Sequence, residues 1–294
     1  MRYSFFVSTL CVVLLCSVTM GARRRQPRQP PRPPTTPTTP TTPTTPPTST
    51  AKLVFAQEFN DISAIAKTSN MKTSWPLGQG WQSPANEGNV GVYCDTQGTF
   101  NPGPNPFSVT AGVLSITATP TPGLPAPFTY TSGMLCTAGK FSFTYGYVEA
   151  RCKIPGGTGF WPLIWMMKDP GTNSLTWPPE IDILQCSSRI PTETYNAVLW
   201  GNSAAPQQFG DFCSIGVNLA ADFHTYGLEW TATKVNWFID NKLVLTRATP
   251  SGVNVPMFLM VNLAVGDDGD WVRKPDGSRQ SFFIDYLRVY DKKP

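Results

Sequence analysis

The chain has 294 residues, of which 40% are hydrophobic and 14% charged, with 30 prolines, 24 glycines and a net charge of +4. That charge divides unevenly: six of the 23 basic residues precede residue 51 with no acid beside them, leaving 17 Lys and Arg against 19 Asp and Glu in the remainder. The absence of a basic stripe or nucleic-acid motif excludes a nucleic-acid binder, and a single histidine, His224, with no CxxC pair excludes the common zinc sites and a histidine-based triad.

In chain order, residues 1–22 read as a secretory signal, with Arg2 ahead of an apolar run from Phe5 to Val18 and small Gly21 and Ala22 near the cleavage point. The run is shorter than the ~20 residues of a membrane span, so a secreted, monomeric protein without stable membrane insertion is expected. Arg23, Arg24 and Arg25 on the far side disfavour translocation, which keeps an uncleaved signal anchor as the other reading. Residues 23–50 are Arg, Gln and Pro followed by a PTT repeat. Such text cannot bury a core and predicts an extended, disordered stalk.

Residues 51–294 fit one domain. Stretches 108–119 (SVTAGVLSITAT), 141–154 (FSFTYGYVEARCKI), 234–246 (KVNWFIDNKLVLT) and 281–290 (SFFIDYLRVY) alternate apolar with polar residues and are separated by Gly, Pro, Asn or Asp. No sustained helical periodicity interrupts them, which predicts an all-β sandwich of the jelly-roll kind. Asp240 and Asn241 tolerate turn geometry and predict a tight hairpin in IDNKLV. Once Cys11 and Cys16 leave with the signal, Cys94, Cys136, Cys152, Cys186 and Cys213 remain. Disulfides suit an exported protein, yet five is odd, so at least one thiol stays free and the partners do not follow from spacing. His224, in FHTYGLEW, reads as structural, and no Asn-x-Ser/Thr sequon is present.

One stretch carries chemistry. In WPPEIDILQC, residues 177–186, Glu180 and Asp182 alternate with Ile181 and Ile183, so an extended strand projects both acids from one face. Acids are depleted in strands and repel when close. The pattern fits either a half-exposed strand with a polar outer face or paired carboxylates lining a sugar cleft.

The blocks SGMLCTAGKFSFTYGYVEARCKIPGGTGFWPLIWMM, WPPEIDIL, FHTYGLEW, WFIDNKLV, PMFLMVNLAVGDDGDW and FFIDYLRVYDK, in this order, resemble glycoside hydrolase family 16, in particular its laminarinase-like β-glucanases. The resemblance covers essentially all of 51–294. It implies a concanavalin A-like jelly roll with a concave cleft, acting on β-1,3 or mixed-linkage glucan with retention of configuration. It also implies that Glu180 is the nucleophile, that Asp182 assists it, and that the third acid of an ExDxxE strand is replaced by Gln185. A five-residue offset puts Gln185 on the face opposite Glu180 unless one extra residue bulges the strand. Where many relatives carry a histidine facing the carboxylates, this chain has Leu199. The same resemblance places Trp161, Trp165, Trp177, Trp271, Arg151 and Asn86 along the sugar cleft. It offers Glu58 and Asp285 for a structural calcium, with no cofactor required for catalysis. Two functions follow: a secreted β-glucan hydrolase slowed by loss of its proton donor, or a β-glucan-binding protein that kept the groove without the chemistry.

Overall fold

Wherever the sequence alternates β-branched and aromatic residues with polar ones, the chain is extended, and turns fall at the Gly, Pro, Asn and Asp between. The computed structural model describes residues 50–66, 69–73, 88–96, 101–171, 176–266 and 269–294. The leader and nearly all of the stalk, as well as Asn86, lie outside the described residues. The strands are β1 (Leu53–Gln57), β2 (Gly91–Tyr93), β3 (Phe107–Thr110), β4 (Val113–Pro120), β5 (Tyr130–Ser132), β6 (Met134–Cys136), β7 (Gly146–Lys153) and β8 (Phe160–Lys168). They continue with β9 (Glu180–Gln185), β10 (Thr194–Asn202), β11 (Ala205–Cys213), β12 (His224–Trp230), β13 (Lys234–Ile239), β14 (Lys242–Ala248), β15 (Met257–Val265) and β16 (Gln280–Tyr290). A single turn of helix, α1 (Gly269–Val272), follows β15.

Two sheets result. The larger runs β14-β13-β12-β7-β16-β4-β5-β2, with β1 added on β16 and β3 on β4; the smaller runs β11-β10-β9-β8-β15-β6. Neighbours far apart in sequence, such as β7 between β12 and β16, are the crossovers of the jelly-roll sandwich that the sequence predicts. Alternation fixes the inner faces. Val148, Ala150 and Cys152 of β7, Trp237 of β13 and Leu287 of β16 belong to one buried cluster with Ile164 and Met166 of β8, Ile181 of β9, and Leu259, Val261 and Leu263 of β15. Fully burying one such aliphatic side chain contributes about 1.5 to 3 kcal/mol. A second cluster, with Trp161, Trp165, Trp177, Leu199 and Met260, lies on the opposite face of the smaller sheet. That face carries the candidate site.

The hairpin at Asp240 and Asn241 forms with both residues left-handed, at φ 48° and 61°. Asp240 braces it: Oδ1 accepts from the Thr225 N–H at 2.9 Å and Oδ2 lies 2.7 Å from His224 Nδ1, which places the lone histidine in a structural contact. The expected disulfides are not present. Cys94, Cys136, Cys152, Cys186 and Cys213 are all buried and outside any disulfide; Cys152, Cys186 and Cys213 lie in the inter-sheet core and Cys136 in the second cluster, where they act as small hydrophobes. Burial pushes the Cys94 and Cys136 thiols up to about 11, which keeps them protonated.

Candidate active site

A regular strand would turn Gln185 away from Glu180. The register shows how β9 avoids this. Against β8, Glu180 faces Met167 and Asp182 faces Trp165, but Leu184 faces Ile164 and Gln185 faces Leu163, so Ile183 has no partner there. Its other neighbour, β10, pairs only with residues 180–182. Ile183 is therefore a one-residue bulge, and it returns Gln185 to the face of Glu180 and Asp182 while Ile183 and Leu184 both enter the core.

A bulge leaves backbone groups outside the ladder, and two buried side chains satisfy them. Trp237 reaches across from the larger sheet and donates its indole N–H to the Asp182 carbonyl at 2.7 Å. Asn196 of β10 donates Nδ2–H to the Ile183 carbonyl at 2.8 Å and is itself held by the Thr194 hydroxyl at 2.7 Å.

Glu180, Asp182 and Gln185 are 5%, 2% and 6% exposed, so this row of polar groups lies almost wholly buried on the face that the family resemblance assigns to the cleft. Trp177, just ahead of β9, donates its indole N–H to Glu180 Oε2 at 2.7 Å. Burial raises the Glu180 carboxyl above the usual carboxylate range, against the opposing pull of the Trp177 and Asp182 hydrogen bonds. Burial raises the Asp182 carboxyl as well, and the charge of Glu180 beside it adds to the shift. Asp182 Oδ1 and Gln185 Oε1 are buried without a hydrogen-bond partner.

The indoles divide by role. Trp161 and Trp165 share the cleft face of β8, and Trp271 on α1 meets Trp161 edge to face at 5.5 Å. Trp165 spends its N–H on Asn262 Oδ1 at 2.7 Å, and Asn262 in turn donates to the Tyr93 hydroxyl at 2.9 Å. Trp161 and Trp271 keep buried, unpartnered indole N–H groups. Leu199 stands directly opposite Glu180, so no imidazole meets the carboxylates from β10.

Two expectations fail. Arg151 is not in the cleft: β7 belongs to the larger sheet, and the parity that turns Ala150 and Cys152 inward turns Arg151 to the outer face. There it pairs with Asp285 at 2.6 Å and lies over the Phe223 ring. The calcium pair is also otherwise engaged, since Glu58 accepts two hydrogen bonds from Arg288 at 2.7 and 2.8 Å and Asp285 accepts from Arg151. Among the described residues no three His, Cys, Asp or Glu converge on one point. Calcium takes six to eight oxygen ligands, so these two acids, each neutralised by a guanidinium, do not fit it.

Residues 96–287 match the family described as glycosyl hydrolases family 16. The chain belongs to glycosyl hydrolase family 16. Among curated members it is 34% identical over 254 residues to "Endo-1,3-1,4-beta-glycanase ExsH" of Rhizobium meliloti (strain 1021), covering 82% of this chain and 52% of that protein. This family 16 chain thus spans about half the length of that relative. It is 30% identical over 128 residues to a "Beta-1,3-glucan-binding protein" of Penaeus monodon, covering 40% of this chain and 35% of the other. Its fold is similar to the laminarinase catalytic domain from Thermotoga maritima MSB8, with TM-score 0.67 and 28% identity over 83% of this chain and 99% of that one.

What the sequence reading missed is the support: Trp237 and Asn196 beneath the bulge, and Tyr195 and Phe212 beside Trp271. Tyr195 had a signal, since it alternates with Ala197 and Leu199 on one face of β10. Trp237→Phe keeps an aromatic ring but orphans a buried carbonyl, and should destabilise the protein by about 1 to 3 kcal/mol in urea denaturation, with weaker ligand binding. The raised carboxyls set a second expectation. The unfolded acids ionise near their ordinary values while the folded pair holds its proton to higher pH, so stability falls as pH rises through that interval. Asp182→Asn should therefore raise thermal stability at pH 8 and have much less effect at pH 4. An equal effect at both pH values would show that the pair is not strained by burial.

Proposed function

We propose that this family 16 protein is directed at β-glucan, β-1,3 or mixed-linkage, and that it holds the polysaccharide while hydrolysing it slowly or not at all. One observation carries this reading: Gln185 occupies the third place of the row on the face of Glu180 and Asp182, so β9 presents two carboxyls and an amide there. Retaining hydrolysis needs one carboxylate to attack the sugar and a second carboxyl group to protonate the departing oxygen, then to deprotonate water. Glu180 supplies the attacking oxygen. An amide neither gives nor takes the proton. Asp182 is no substitute, because it stands beside Glu180 on the same face of the same strand, in the place of the nucleophile's neighbour rather than across the scissile bond.

The binding side supports the same reading: aromatic faces on β8 and α1 suit the apolar faces of glucose rings. The name of the Penaeus monodon relative records binding rather than cleavage, which favours a recognition role as the second reading of the same groove.

Gln185→Glu should raise reducing-sugar release from laminarin or lichenan by roughly 10² to 10⁴, with affinity for the polysaccharide changed little. Wild-type turnover equal to that of the variant would overturn the slow-hydrolase reading, and failure of both proteins to bind either glucan would overturn the glucan assignment. An aryl β-glucoside oligomer with an acidic phenol needs no protonation to depart, so the wild-type protein should release the phenol in a burst. Azide, which attacks without a base, should then restore turnover and give the β-glycosyl azide.

A further inference from the structure

Beyond the carboxyl row, the cleft face continues across β10 to β11, the free edge of the smaller sheet. Tyr195 of β10 stands directly opposite Phe212 of β11, so both side chains project from the cleft face. Their ring centroids are 5.0 Å apart, and each also meets Trp271, at 6.3 Å from Tyr195 and 6.0 Å from Phe212. Trp271 in turn meets Trp161 on the cleft floor. The four rings make one continuous aromatic surface from the floor to the sheet edge.

Two features separate this surface from ordinary packing. Phe212 is 56% exposed, on an edge strand where exposed apolar groups invite unwanted pairing and charged ones are usual. Gly210 makes room for the phenol, since a Cβ there would lie 2.4 Å from the Tyr195 hydroxyl oxygen. A ligand with apolar ring faces and hydroxylated edges suits an exposed aromatic edge of this kind, and a pyranose ring is such a ligand.

We propose that Phe212, with Tyr195 and Trp271, is a second sugar-stacking platform that extends the cleft to the edge of the sheet and selects for longer glucan chains. The inference rests on the glucan reading above and adds to it a place and a length dependence. Phe212 stands two strand spacings from Glu180's strand, about 10 Å, and four residues along β11 from Gln208, which is level with Glu180, about 13 Å more in the perpendicular direction. A short oligosaccharide seated at Glu180 does not reach it, whereas a longer one does.

The test is calorimetric titration of the wild-type chain, Phe212→Ala and Phe212→Trp with β-1,3-gluco-oligosaccharides of increasing length and with laminarin. The half-exposed position allows both variants to fold. Phe212→Ala should bind the shortest oligosaccharides as the wild type does and lose about three- to tenfold in affinity for the longer ones, while Phe212→Trp keeps the full gain with length. Equal affinity of Phe212→Ala and wild type at every length would overturn the platform and leave the glucan reading standing, as would a loss uniform across lengths. If the wild type binds no oligosaccharide and no laminarin, the glucan reading itself fails and the platform with it.

Discussion

The site depends on one inserted residue. Side chains on a strand alternate with a period of two, so adding one residue exchanges the faces of everything beyond it. Without Ile183 as a bulge, Gln185 would enter the sandwich core and Leu184 would enter the cleft. The bulge is held from both sides. Trp237 ties it to the opposite sheet through the Asp182 carbonyl, and Asn196 ties it to the neighbouring strand through the Ile183 carbonyl. The larger sheet therefore does more than cover the core, because its indole fixes the backbone from which the cleft acids project.

That backbone holds an electrostatically costly row. Two carboxyls on one face of a buried strand repel and lose hydration, and the raised affinity of Glu180 and Asp182 for protons follows from both effects. Trp177 offsets part of this at Glu180 with one strong hydrogen bond. A third carboxyl at position 185 would add repulsion to the same floor. Gln185 has nearly the shape of Glu without the charge, so it relieves the row, and under the proposed reading it supplies no proton for cleavage. Stability and chemistry pull in opposite directions at this position, and the amide lies on the side of stability.

Much of this was legible in the sequence, and for physical reasons. Alternation in the strands and the turn residues between them specify a sandwich, and Asp240 with Asn241 specify their hairpin, because these patterns act locally. The bulge was inferable from the five-residue offset between Glu180 and Gln185 together with the family pattern. Arg151 shows the opposite case. Its block matches the family, yet its own alternation with Ala150 and Cys152 puts it outside, and which sheet β7 joins depends on non-local pairing with β12 and β16. Trp237 under the bulge and Phe212 at the edge were likewise hidden, since each acts through a contact between strands distant in sequence. The cysteines misled because an exported chain and a buried apolar core both favour them, and here all five are buried, three of them in the inter-sheet core.

The unpartnered polar atoms of the cleft make a consistent set. Asp182 Oδ1 and Gln185 Oε1 are acceptors, and the Trp161 and Trp271 indole N–H groups are donors. Groups of this kind cost about 1 to 3 kcal/mol each when nothing pairs them. An apolar ligand would leave all four unmet, and an anion would be repelled by the floor. A chain of neutral rings bearing hydroxyls both donates and accepts, and its ring faces match the indoles beside it. Gln185 is compatible with every part of that complementarity, because an amide oxygen accepts from a hydroxyl as a carboxylate does. Under the proposed reading Gln185 shares in recognition and gives no proton, so binding and turnover would separate at this one residue.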